Sequence, residues 1–165
     1  MKLFNFTLLL LTLLINSGFA QKQQTEATTR VEAVVIEYLE MITLADIDVG
    51  TIIPSQDILR LNPRTDSGAG IIKVQGRPNS KVQVSFSSQI EMVNVATSST
   101  LTVTYRVSGN KDNDQSVSDI LTTNPEIIKL NDIGEYYLWI GCEFSMANLV
   151  SGQYDGDFVI DVDYN

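Results

Sequence analysis

Chemistry in this chain has to be built from a short list: one cysteine, Cys142, twenty carboxylates and no histidine. Ser–His–Asp and Cys–His arrangements therefore cannot form within it. With no imidazole to take its proton, Cys142 reads as a small buried apolar group rather than a nucleophile. A structural or catalytic zinc site draws on Cys and His, which are the residues missing here. Paired carboxylates run glycoside hydrolysis, but twenty acidic side chains in 165 residues supply many pairs by chance, and none stands apart. Asp112-Asn113-Asp114-Gln115-Ser116 begins like a calcium loop. Val117 then stands where an EF-hand needs Gly, and Thr123 where it needs Glu, so a solvated turn is expected. Tyr137 and Trp139 offer either a sugar-stacking platform or a pair packed beneath a loop, and packing is the expectation. No enzyme, catalytic residue, metal or cofactor is expected, because no required set of groups converges.

The elements that would position any site are strands. Tyr136, Leu138, Ile140, Cys142, Phe144 and Met146 occupy alternate positions, and so do Phe158, Ile160, Val162 and Tyr164 after a turn near Ser151-Gly152. Successive strand side chains point to opposite faces, so each run offers one apolar stripe to a core, with Asp157, Asp161 and Asp163 facing away. The two runs together read as a terminal hairpin, Gly134 to Asn165. Upstream, Val31 to Tyr38 alternates imperfectly and is rich in β-branched residues. Ile42–Leu44 and Ile47–Val49 stay extended until Gly50, and Pro54 interrupts. Ile58–Leu61, Ile71–Gln75 and Lys81–Ser87 follow, the last two joined by Gly76-Arg77-Pro78-Asn79-Ser80, which reads as a hairpin turn. Ile90–Val95 is weaker, Leu101, Val103, Tyr105 and Val107 form a clean stripe, Gly109–Ser118 is polar, and Ile127–Leu130 leads into the last segment. About eight or nine short strands without a helix predict an all-β sandwich or barrel.

Residues 1–20 read as a secretory signal peptide: Lys2, an apolar run Leu8–Ile15, and small residues at Gly18 and Ala20. The apolar run is short for a membrane span. Cleavage after Ala20 leaves a polar leader, 21–29, expected to be disordered, and one domain over 30–165, a length that buries a core without disulfides. The net charge of −9 disfavours nucleic acid and anionic membranes as partners.

Four segments resemble the secreted bacterial domain of unknown function number 4402. They are Asp46-Ile47-Asp48-Val49-Gly50-Thr51-Ile52, Gly70 through Asn79, Leu138-Trp139-Ile140-Gly141-Cys142, and Gly152 through Tyr164. Val49 and Cys142 replace the Phe and Gly usual in that family. The resemblance implies an immunoglobulin-like antiparallel sandwich and an envelope or extracellular location, with no enzyme activity to carry over. The ending also looks like that of chaperone–usher pilus subunits: Tyr164 is penultimate and Gly152 is fourteenth from the end. That likeness implies strand addition, with Phe158, Ile160, Val162 and Tyr164 as the assembly strand and with other copies and a periplasmic chaperone as partners. Val31–Tyr38 is then either the subunit's own strand or a donor. The functional expectation is a non-enzymatic structural protein, secreted or on the cell surface and fimbria-like. The alternative is a monomeric extracellular module binding glycan or protein.

Overall fold

The computed structural model describes residues 38–49 and 57–165. The expected signal peptide and leader, most of the alternating stretch Val31–Tyr38 and residues 50–56 lie outside the described residues. Eleven strands follow in order: β1 (Glu40–Ala45), β2 (Ile58–Leu61), β3 (Gly70–Gln75), β4 (Lys81–Phe86), β5 (Gln89–Asn94), β6 (Thr100–Asn110), β7 (Asp119–Ile120), β8 (Glu126–Lys129), β9 (Glu135–Ser145), β10 (Tyr154–Asp155) and β11 (Ile160–Tyr164). The count exceeds the expected eight or nine partly because β7 and β10 are two-residue pairings, too short to carry a period.

All pairings are antiparallel and fall into two sheets. The larger runs β1-β3-β9-β6-β5-β10, with β2 extending β3's side of β9 and β7 lying against β6; the smaller is β11-β4-β8. Inward side chains from both meet in one core: Val74, Val107, Leu138 and Ile140 from the larger, Val82, Val84 and Ile128 from the smaller. This is an antiparallel β-sandwich, one of the two architectures the alternating stripes allowed and the one whose immunoglobulin-like form the family resemblance implied.

Two local expectations are corrected. Gly76–Ser80 does not close a hairpin, because β3 pairs with β1 and β9 while β4 pairs with β11 and β8. The segment is an arch between sheets, held by Gly76 N–H to Gly134 O at 2.8 Å and Ser80 N–H to Arg77 O at 3.2 Å. The terminal hairpin fails in the same way: β9 lies in the large sheet and β11 in the small one. An arch turns two apolar stripes to face each other, whereas a hairpin sets them side by side on one sheet. Alternation along the sequence is identical in the two cases.

The outer face of β9 is also covered. The loop after β2 folds on itself through Asn62, whose Oδ1 accepts from Arg64 N and whose N–H donates to Asp66 Oδ2. It is tied down by Gln115 Nε2, which donates to the carbonyls of Pro63 and Asp66, and by the buried Ser108 hydroxyl. Ser118 in turn donates to Ser108 at 2.9 Å. The polar stretch Gly109–Ser118 is therefore not an open loop but a buttress, containing a 3-10 turn at Gln115–Val117. The loop crosses β9 where Gly141 stands. A Cβ there would lie 2.2 Å from Leu61 O and 2.6 Å from Pro63 Cδ. Gly141→Ala should destabilise the domain by about 1–3 kcal/mol, the usual cost of overpacking a filled site. A urea midpoint lowered with an unchanged slope is the expected reading.

Tyr136 lies near the start of the same strand. Burial, then the nearby Asp119 and Glu126, push its hydroxyl from the ordinary 10.0 up to about 12. A raised folded value leaves stability intact below the unfolded pKa and removes it as pH climbs from about 10 toward about 12. Tyr136→Phe should flatten that alkaline limb; an equally steep limb in the variant would show that another group sets it.

Candidate functional site

The small sheet ends in β11, and the expected assembly residues sit along it. Phe158 enters first, its ring 4.5 Å from that of Tyr105 and tilted by 36°. Ile160, Val162 and Tyr164 point inward and are half-buried, while Asp161 and Asp163 are exposed. The structure thus brings Ile160, Val162 and Tyr164 to one face of β11, while Phe158 lies in the segment that leads into that strand.

Tyr164 is the most strongly held of them. Its hydroxyl accepts from Arg77 N at 2.8 Å and donates to Tyr38 O at 2.8 Å, and the Arg77 guanidinium stands 5.8 Å from its ring centre. Penultimate position suggests a fraying end where a substitution costs little, but this side chain instead ties the last strand to the arch at Gly76–Ser80 and to the chain entering β1.

The hydrogen-bonding pattern of β11 defines its other side. Ser87 N donates to Val159 O at 2.9 Å and Asn165 N donates to Lys81 O at 3.2 Å, bracketing a register that pairs Asp161 with Ser85 and Asp163 with Gln83. In an antiparallel ladder alternate residues exchange bonds with the partner. The odd-numbered residues Val159 to Asn165 therefore face β4. The backbone N–H and C=O groups of Ile160, Val162 and Tyr164 point away from it, to a side that no described strand pairs. Other edges are less regular: β1 is bulged between Thr43 and Ala45, β10 has two residues, and β2 and β8 have four each. Bulges and short lengths are how sheets blunt an edge. β11 is the longest unbroken one among the described residues.

A second feature was missed by reading strands one at a time. β6 and β9 have eleven residues each, β4 six. At about 3.4 Å per residue the long strands run roughly 37 Å and the short one roughly 20 Å, so the small sheet cannot cover the large one. At the uncovered end a cavity of about 580 Å³ remains, walled by Met92, Leu101, Val103, Tyr105, Cys142 and Phe144 and bounded by Ile47, Val49 and the 146–154 segment. The mismatch in apolar run length was the available signal.

The remaining candidates settle into packing. Cys142 is buried, and burial pushes its thiol up, away from the reactive thiolate. The adjoining Tyr105 hydroxyl is raised first by burial and then by Cys142. Trp139 is 1% exposed and stacks with Tyr137 at 6.3 Å, so it presents no open sugar platform. Asp114 accepts from Ser116 N at 3.0 Å and from Ser116 Oγ at 2.6 Å, capping the 3-10 turn.

The four sequence segments singled out above also become contact points. Asp48 N donates to Gly68 O at 2.8 Å. Gly76 receives the Tyr164 hydroxyl, which a Cβ would approach to 2.7 Å, and Gly141 receives the Leu61–Pro63 backbone. What these motifs do is hold a two-sheet β-domain together. The chain belongs to the family described as Domain of unknown function (DUF4402), whose profile matches residues 47–164. No curated protein matches it.

Proposed function

We propose that this is a non-enzymatic structural protein, exported to the cell surface or beyond, whose copies assemble by strand addition along β11. The observation that carries the reading is the outer edge of that strand, which no described strand pairs. It is five residues long and unbulged, and it has three backbone N–H groups and three C=O groups aimed outward. An unpaired edge of this kind is a template for an incoming strand, with main-chain hydrogen bonds giving affinity and alternate side chains giving register. The resemblance of the ending to chaperone–usher subunits supports the same use, with a periplasmic chaperone covering the edge before assembly. The family motifs act here as packing points, which accords with a scaffold rather than a catalyst. Electron microscopy and size-exclusion chromatography of the secreted protein test the reading. Filaments or a concentration-dependent ladder of oligomers are expected, and a strictly monomeric species at every concentration contradicts it.

A further inference from the structure

The cavity at the uncovered end of the sandwich is separate from the assembly strand, since none of Phe158, Ile160, Val162 or Tyr164 lines it. At about 580 Å³ it falls within the roughly 300–1,000 Å³ typical of small-molecule sites and is far larger than the gaps a packed interior leaves. Its walls are mainly aliphatic, aromatic and sulfur-bearing side chains, with Ser151 and Gly152 beside them, and no Asp, Glu, Lys or Arg is among them. Carboxylates flank the wall in sequence: Asp46 and Asp48 on either side of Ile47, and Asp155 after Tyr154, all exposed. Any charge carried into the cavity would lose its hydration without a partner.

Asn94 is buried behind the cavity wall and does not itself line the cavity. Asn94 follows Met92 in the inward alternation of β5 and is 1% exposed. Its Oδ1 accepts from Ala96 N and Thr97 N, both at 3.0 Å. Its Nδ2 has no hydrogen-bond partner among the described residues. That nitrogen sits behind Gly152, a wall residue, where a Cβ would come within 2.5 Å of it. A buried amide donor left unmatched is costly and calls for an acceptor.

We infer that the cavity binds one uncharged, mainly aliphatic molecule, its chain among Met92, Val103 and Phe144. The inference stands apart from strand addition and survives if the protein proves monomeric.

The test uses the purified protein and N-phenylnaphthylamine, an uncharged probe that brightens in apolar surroundings. Saturable uptake of one probe per chain is expected, displaced by dodecanol and about tenfold or more less well by dodecanoate or dodecylammonium. Cys142 lines the cavity, so dodecanol at about ten times its Kd should slow alkylation of that thiol about tenfold. Met92→Trp, at a half-buried position, should weaken probe binding about tenfold or more. If that variant misfolds, the Cys142 protection still decides the matter in the unmodified chain. Equal displacement by all three amphiphiles would mean surface adsorption and overturn the inference. So would protection of Cys142 that rises with protein concentration alone, which would place a second copy in the groove. Failure of the probe to bind, with Cys142 unreactive throughout, would mean that the space is closed to small molecules, and it overturns the inference as well.

Discussion

A chain ending before Phe158 should not fold. The deletion removes Phe158, Ile160, Val162 and Tyr164 from the core, all of them half-buried. Half the transfer value of about 1.5–3 kcal/mol for each such side chain comes to roughly 3–6 kcal/mol. The truncation also strips β4 of its five-residue pairing with β11, turning a central strand into an edge beside Val82 and Val84, which are 0% exposed in the intact domain. A domain of this size is stable by about 5–15 kcal/mol in total, so the burial loss alone is comparable with the lower end of that range, and the lost ladder to β4 adds to it. Far-UV circular dichroism with urea titration is the measurement. A cooperative transition in the truncated chain would mean that the small sheet stands without its last strand.

Tyr164→Ser should destabilise the intact chain by about 3 kcal/mol, combining half the burial value of a large side chain with two hydrogen bonds worth about 1 kcal/mol each. The bonds are those to Arg77 N and Tyr38 O. Tyr164→Phe keeps the ring and should cost about 1–2 kcal/mol, separating the hydroxyl from the packing. Equal midpoints for wild type and Tyr164→Ser in urea would show that the C-terminal end frays. Because Tyr164 holds its own domain together, a defect in assembly on changing it does not report on the edge alone. A cleaner probe has to act on the backbone of β11.

Which residues alternate, and which of them are buried, was legible in the sequence. Leu101, Val103, Tyr105 and Val107 are all buried, as are Leu138, Ile140, Cys142 and Phe144, because period-two hydrophobicity is a direct consequence of strand geometry. Pairing partners were not legible. The Gly76–Ser80 arch and a hairpin need the same turn residues and the same flanking stripes, and only the far ends of the strands, β9 for β3 and β11 for β4, decide between them. Gly141 carries no period at all; its reason is the backbone of Leu61–Pro63 crossing 80 residues away in sequence. Tyr164 was placed on the right strand and the right face. Its two hydrogen bonds depend on the arch and on Tyr38, which no local pattern reveals. The open edge of β11 is a property of the whole sheet order, and the cavity follows from the unequal lengths of two sheets.

The most direct measurement of the central claim is size-exclusion chromatography with electron microscopy on two proline variants of β11. Proline lacks the N–H and is tolerated where that group faces outward from an edge strand. In this register the Val162 N–H points to the open side and the Asp163 N–H to β4. Val162→Pro should leave the domain folded, with a modest loss of stability, and abolish the higher oligomers. Asp163→Pro should break the ladder to β4 and lower the urea midpoint sharply. A Val162→Pro protein that is folded and still assembles as the wild type does would show that β11 is not the edge through which copies join.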